Sequence, residues 1–308
     1  MPILPRDACA FCQGKTPAVL CIARDGSVIV PCEMESIAAG IEWVRLNGAP
    51  TAENFRNLLI LLSPYNRALA RCADAVAFSN LAPLAVVGDT GISDSFVVAS
   101  NPLCHGTDLA ACPDYVVKGH FALWKLLAEA AHQQDATFLG FYNSLNPLSG
   151  ASVLCPHTQV QFLAHTPGLY TQMLARKQAS GCAACRLLER GALHIPIPAV
   201  ESLRLLAHPA PPRNWSLRIV SSACHDSMGF VNAGDFAMIF QLAVRGLAGV
   251  LGGLPPYNLV VRVGAGHFHA DVIPRTNIPA GSELALGEVS VDVSPALVRD
   301  CLARALAR

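Results

Sequence analysis

Cys155-Pro156-His157-Thr158-Gln159 leads into the β-favouring run Val160-Gln-Phe-Leu163, and the same layout returns later as His267-Phe268-His269-Ala270-Asp271 ahead of Val272-Ile273. Each stretch puts a thiol or imidazole two residues before a histidine at the start of a strand. In an ideal strand such residues share a face. Working outward, both copies have the same company. Cys9-Ala-Phe-Cys12 opens the first half and Cys182-Ala-Ala-Cys185 the second. Cys104-His105 and Cys224-His225 each follow a strand candidate and precede a helix candidate.

The elements around these motifs alternate in kind. Apolar residues recur at three- and four-residue spacing over Tyr115–His132, Ala233–Leu251 and Pro295–Ala307, which predicts helices. Ser294-Pro295 supplies an N-cap and a first-turn proline for the last of them. Thr51–Leu62 is a further helix candidate, and Gly168–Ser180 reads as a helical connector between the halves. Short β-branched or aromatic runs predict strands over Ser95–Ser100, Thr137–Tyr142, His157–Leu163, Trp215–Ser221, Tyr257–Val263 and His267–Ile273. Strand, helix, strand, strand thus occurs twice. The fold class expected is α+β: two tandem units of antiparallel sheet with packed helices, divided at 1–170 and 171–308. The stretch from Ala18 to Ala77 carries no motif that can be placed.

Composition narrows the function. Hydrophobic residues are 52% of the 308 and charged residues 14%, so the chain can build sizeable cores. Lys+Arg and Asp+Glu are both 22, which gives no electrostatic case for nucleic acid or an anionic membrane. No N-terminal basic-then-apolar leader is seen, and the longest apolar runs are short or broken, as by Arg245. A cytoplasmic location is expected, and there the twelve cysteines stay reduced.

Reduced Cys-x-x-Cys turns joined by histidines point to metal. Tetrahedral zinc takes four thiolate or imidazole ligands, and one tight turn supplies two of them. Two sites are expected: Cys9, Cys12, His105 and Cys155 in the first half, and Cys182, Cys185, His225 and His267 in the second. Cys104 and Cys224 rival their neighbouring histidines, because adjacent strand residues point to opposite faces. Only one of each pair should reach the ion. Thiolate-rich ligation favours zinc over iron.

Four stretches resemble a known family. Cys9-Ala-Phe-Cys12-Gln-Gly14 with Thr16-Pro17 is similar to the N-terminal zinc loop of the galactose-1-phosphate uridylyltransferases and ADP-glucose phosphorylases, a branch of the histidine-triad superfamily. Gly150-Ala-Ser152-Val-Leu-Cys155-Pro-His157-Thr-Gln159 resembles their active-site strand, and Asn-Pro-Leu-Cys-His105 their third zinc-ligand segment. His269-Ala-Asp-Val-Ile-Pro-Arg275 is similar to the close of their second half. The resemblance implies two histidine-triad-like units in a pseudo-duplicated fold. It makes Cys155 a zinc ligand where the family has histidine, His157 the nucleophile, and Gln159 the donor to a transferring phosphoryl group. A second zinc on Cys-x-x-Cys occurs in the ADP-glucose phosphorylase branch. Asn143, Gly150 and Ser152 are then candidates for substrate binding.

The implied activity is nucleotidyl transfer or nucleotide-sugar phosphorolysis through a covalent nucleotidyl-histidine. The partners would be a nucleotide or nucleotide-sugar and a sugar-phosphate or phosphate acceptor, in a homodimer. Cleavage of dinucleoside polyphosphates is one alternative; a degenerate, zinc-braced nucleotide-binding protein is another. Asp271 stands where the second copy would need glutamine, so that half reads as structural or as a wall of the site.

Overall fold

The computed structural model describes residues 20–22, 28–29, 75–79, 92–100, 104–151, 153–197, 200–264, 266–276, 281–286 and 289–307. Eleven strands join in one antiparallel sheet. In chain order they are β1 (Leu20–Ile22), β2 (Val28–Ile29), β3 (Ala75–Ser79), β4 (Ile92–Ser100), β5 (Thr137–Asn143), β6 (His157–Leu163), β7 (His194–Ile195), β8 (Leu203–Ala207), β9 (Leu217–Ser221), β10 (Tyr257–Arg262) and β11 (His269–Pro274). Their spatial order is β2-β1-β3-β4-β6-β5-β10-β11-β9-β8-β7. The centre of that order reads β4-β6-β5, then β10-β11-β9. In each trio the last strand in sequence lies between the other two. The trios meet where β5 pairs β10, Asn258 opposite Asn143 and Arg262 opposite Leu139.

Six helices complete the described residues: α1 (Asp114–Gln133), α2 (Gly168–Ser180), α3 (Ala183–Arg190), α4 (Ala233–Leu251), α5 (Gly281–Leu286) and α6 (Pro295–Leu306). The expected helices Tyr115–His132, Ala233–Leu251 and Pro295–Ala307 are α1, α4 and α6, and the expected connector is α2. Thr51–Leu62 lies outside the described residues. The six expected strands are β4, β5, β6, β9, β10 and β11, with ends shifted by a few residues. The sequence patterns do not mark β1, β2, β3, the pair β7–β8, or helices α3 and α5.

Local chemistry sets the helix ends. Asn232 accepts from the backbone N–H groups of Gly234 and Asp235 to start α4, and Gly252 closes it at φ +74°. Ser294 accepts from the Leu297 N–H at the start of α6. α1 buries Val117, Phe121, Trp124, Leu127 and Ala131 at helical spacing. Phe121 meets Phe236 of α4 edge-on, with ring centroids 4.3 Å apart, and Trp124 at 5.3 Å. Such contacts add roughly 0.5–1.5 kcal/mol each beyond the apolar area buried. α4 is long and apolar enough to cross a membrane. Here Phe236, Phe240, Val244 and Leu247 bury it against α1 and α6.

One sheet face therefore carries the core. Alternation sends polar residues to the other: on β6, Thr158 and Val160 are buried while His157 and Gln159 are half-buried. On β10, Tyr257, Leu259 and Val261 go inward and Asn258 and Arg262 outward. A buried carboxylate ties the trios together. Asp108 accepts from the Tyr142 hydroxyl (2.9 Å), the Tyr257 hydroxyl (2.6 Å) and the Ala110 N–H (3.0 Å). Burial and this carboxylate hold both phenols well above their ordinary pKa.

Candidate active site and metal cluster

β6 positions His157 between two neighbours, with His157 opposite Ala99 and Gln159 opposite both Val97 and Phe141. The strand begins at His157, so Cys155 and Pro156 lie before it. The His157 Nδ1 stands 2.9 Å from the Cys155 carbonyl oxygen. A carbonyl only accepts, so Nδ1 carries the proton and Nε2 the lone pair. Gln159 shares the face, placing an amide beside the imidazole.

Beneath the strand lies a buried polar relay. Thr158 Oγ1 accepts from Trp124 Nε1 (2.8 Å) and pairs with His120 Nδ1 (3.2 Å), whose Nε2 meets Ser100 Oγ at 2.8 Å. Burial, with His157 adding to it, lowers His120 to about 3. A neutral His120 thus pins Thr158, and through it the backbone that carries His157.

Gly150 ends a 3-10 turn at φ +93°. A Cβ there would lie 3.4 Å from Asn143 Nδ2, so glycine serves both the left-handed conformation and the close approach. The Asn143 side-chain oxygen accepts from Asn258 Nδ2 at 2.7 Å, and the same amide reaches the Ser149 carbonyl at 2.8 Å. Asn143 and Gly150 are therefore adjacent, across the seam from Asn258. Ser152 lies outside the described residues.

Of the first expected metal site, Cys9 and Cys12 also lie outside the described residues. The other two candidates are drawn together by backbone: the Gly106 N–H donates to the Leu154 carbonyl at 2.8 Å, setting the His105 turn beside Cys155. Cys155 is fully buried. Cys104 turns into the core beside Cys112, whose thiol is pushed up by its hydrogen bond with Cys104 and by burial.

The second cluster is complete. Cys182, Cys185, Cys224 and His267 bring one ligand atom each within 4.8 Å of one another. His267 Nδ1 lies 3.1 Å from Cys182 Sγ and 3.8 Å from Cys185 Sγ. Tetrahedral zinc bonds of about 2.0–2.3 Å place such atoms roughly 3.5 Å apart. The other nitrogen, Nε2, donates to the Ser221 carbonyl at 2.9 Å, which turns the Nδ1 lone pair toward the sulfurs. Burial raises the Cys182 thiol, but the Cys185 N–H, the neighbouring thiols and the Ala184 N–H together bring it below its ordinary value. Cys185 is pushed up to about 12 by burial and by the Cys182 and Cys224 sulfurs. Three sulfurs this close resist ionising together unless a cation offsets their charge. The donor set fits a soft or borderline metal ion.

One expected ligand is corrected: Cys224, not His225, joins this cluster. β9 ends at Ser221, so the strand alternation used to separate the pair does not extend to it. His225 instead places Nε2 2.7 Å from Ser221 Oγ and packs its ring on Phe230 at 5.1 Å. Its carbonyl accepts from the Phe268 N–H at 2.8 Å, which fixes the bend and points the Cys224 thiol to the cluster.

His269 repeats the His157 arrangement, with Nδ1 2.9 Å from the His267 carbonyl oxygen. Two residues on, Asp271 is clasped by Arg218 at 2.7 and 3.0 Å and by Arg262, with His208 Nε2 at 3.4 Å. Burial opposes its ionisation, but the Arg218 charge and the hydrogen bonds of His208 and Arg218 overcome this and hold it well below the usual carboxylate range.

No protein-family profile and no curated protein matches the sequence. Solved structures do match the fold. A uridylyltransferase aligns with a TM-score of 0.66 at 18% identity, over 77% of this chain and 86% of its own. The chain has the uridylyltransferase fold. A GalT-like protein from Arabidopsis thaliana aligns with it at TM-score 0.64 and 17% identity, over 75% of this chain and 83% of that one. An ADP-glucose phosphorylase from the same plant, solved with ADP-glucose bound, gives 0.63 at 18% identity over 75% and 81%. The resemblance read from the motifs thus extends to the architecture, a mixed fold of antiparallel sheet and packed helices. Within the uridylyltransferase fold, β6 and β11 are the strands that open on the paired motifs.

Proposed function

We propose that this protein is a nucleotidyltransferase or nucleotide-sugar phosphorylase that works through His157, in a chain built from two related units at 1–170 and 171–308. The observation that carries the reading is the hydrogen bond between His157 Nδ1 and the Cys155 carbonyl. It assigns the proton to one nitrogen and the lone pair to the other, as a phosphorus-attacking imidazole requires. Nε2 attacks the α-phosphorus of a nucleoside diphosphate sugar. An N–P bond forms, the P–O bond to the sugar phosphate breaks, and the sugar phosphate leaves with the electron pair. A second phosphate oxygen, from inorganic phosphate or another sugar phosphate, then attacks the phosphorus and returns the pair to Nε2. Gln159 donates amide hydrogens to the phosphoryl oxygens as charge grows on them. Gly150 and Ser152 offer backbone donors and a hydroxyl at the phosphates, and Asn143 lines the sugar side.

Zinc is the ion proposed, two per chain. Cys182, Cys185, Cys224 and His267 would hold one; Cys9, Cys12, His105 and Cys155 the other. The ions would act as structural braces, the one on Cys9, Cys12, His105 and Cys155 anchoring the segment that leads into β6. A homodimer acting on nucleotide-sugars in the cytoplasm completes the proposal.

The test is adduct formation. The protein is incubated with UDP-glucose or ADP-glucose radiolabelled in the nucleotide phosphate. Acid-labile, base-stable label on the wild type, absent from His157→Asn, is expected. A wild type that stays unlabelled, or a His157→Asn variant that labels equally, rules the mechanism out.

A further inference from the structure

The second half holds a cleft that the proposed reaction does not use. It measures about 450 Å³ and lies between α2, the Cys182–Cys185 turn and the polar face of β9 and β11. Arg176, Lys177, Arg186 and Arg218 line it, and no described carboxylate does. Two of these cations are engaged: Arg218 clasps Asp271 behind the lining, and Lys177 donates to the Gly266 carbonyl. Arg186 reaches the Ser180 carbonyl through Nη1 alone, which leaves most of its donors to other partners. Arg176 and Arg186 are exposed.

His269 also lines the cleft and is only 4% exposed. Its Nδ1 is spent on the His267 carbonyl, so Nε2 carries a lone pair and can only accept. That atom is buried and has no hydrogen-bond partner among the described residues. Buried polar atoms in native proteins are nearly always paired, so an orphan at the wall of a cation-lined cleft marks a place for a ligand. An acceptor of this kind wants a hydroxyl, while the guanidinium groups want an anion.

We propose that this cleft binds a small hydroxylated anion, of the phosphorylated sugar or polyol class. The phosphate meets Arg176 and Arg186 at the mouth, and a hydroxyl donates to His269 Nε2 inside. The site is separate from the one around His157 and does not depend on chemistry there.

Calorimetric titration of the metal-loaded, full-length protein with ribose 5-phosphate and glycerol 3-phosphate tests it, with inorganic phosphate and ribose as single-ended controls. Both wild type and His157→Asn are expected to bind at least one of the two phosphorylated probes in the millimolar range or tighter. Inorganic phosphate should bind about tenfold more weakly, the worth of one hydrogen bond, and ribose not measurably. The exposed pair Arg176→Ala/Arg186→Ala should abolish this binding at unchanged metal content. His269→Leu should erase the preference over inorganic phosphate, and His269→Gln, which keeps an acceptor, should retain part of it. Binding retained in the double arginine variant, equal affinity for phosphate and both phosphorylated probes, or no binding of either in the His157→Asn protein overturns the proposal. An unlabelled wild type in the adduct assay would leave these titrations unaffected, so the two readings fail separately.

Discussion

Exchanging single ligands between Cys224 and His225 separates two assignments of one metal cluster. In the structure the Cys224 thiol lies within 4.8 Å of the other three donors, whereas His225 spends Nε2 on Ser221 Oγ. A structural zinc bound by four such ligands is worth roughly 10–16 kcal/mol near neutral pH. One thiolate of four carries about a quarter, near 3 kcal/mol, which is about a hundredfold in affinity. Cys224→Ser should therefore weaken zinc by roughly two orders of magnitude. His225→Ala removes one hydrogen bond and a ring contact but leaves the Ser221 carbonyl that orients His267. Its zinc affinity should stay within about tenfold of wild type, with about 1 kcal/mol of stability lost. Competition against a chromogenic chelator gives the affinities, and elemental analysis after dialysis gives the occupancy. If His225→Ala sheds the ion while Cys224→Ser retains it, the geometric assignment is wrong.

Three further outcomes follow from the geometry. Asp108→Ala leaves the buried hydroxyls of Tyr142 and Tyr257 without their shared acceptor, so about 3–5 kcal/mol of stability should go, read from urea unfolding; a loss under 1 kcal/mol, roughly a surface value, would contradict the brace. Gly150→Ala forces a side chain into φ +93° beside Asn143, and should cost about 1–2 kcal/mol and raise KM for the nucleotide more than it lowers kcat. His120 is held neutral, its pKa lowered from 6.5 to about 3, so the unfolded chain takes up the proton first as pH falls. The stability this provides is complete above pH 6.5 and drains away down to about pH 3, roughly 2–3 kcal/mol of it by pH 4.5. Chemical denaturation at several pH values should show that slope, and His120→Gln should flatten it.

Much of this architecture can be read from residue patterns, because two forces write plainly. Apolar spacing of 3.6 marks α1, α4 and α6, and alternation marks β6 and β10. The recurrence of Cys-x-x-Cys with His-x-His or Cys-x-His brackets the cluster around His267. Other features leave no local trace. The choice of Cys224 over His225 turns on where β9 ends and on a hydrogen bond from Phe268, a residue far along the chain. Leu203-Arg-Leu-Leu-Ala207 is a strand because β9 offers it an edge, not because its pattern alternates. Asp108 is an ordinary loop aspartate until Tyr142 and Tyr257, from different halves, converge on it. The cleft at His269 is legible only as a repeated motif; the two arginines at its mouth, Arg176 and Arg186, come from α2, which reads as a connector, and from α3, which no pattern marks.

The join of β5 to β10 has a consequence for cutting the molecule. Ladder pairing there hides the backbone donors and acceptors of both strands. Were the chain split in the linker before α2 and the fragments produced apart, each would present a raw β-edge shaped to receive its missing counterpart. Mixed, the fragments should reassociate through strand addition, and a reporter divided between them would light only when that zipper closes; kept alone, each would turn to its own kind and clump.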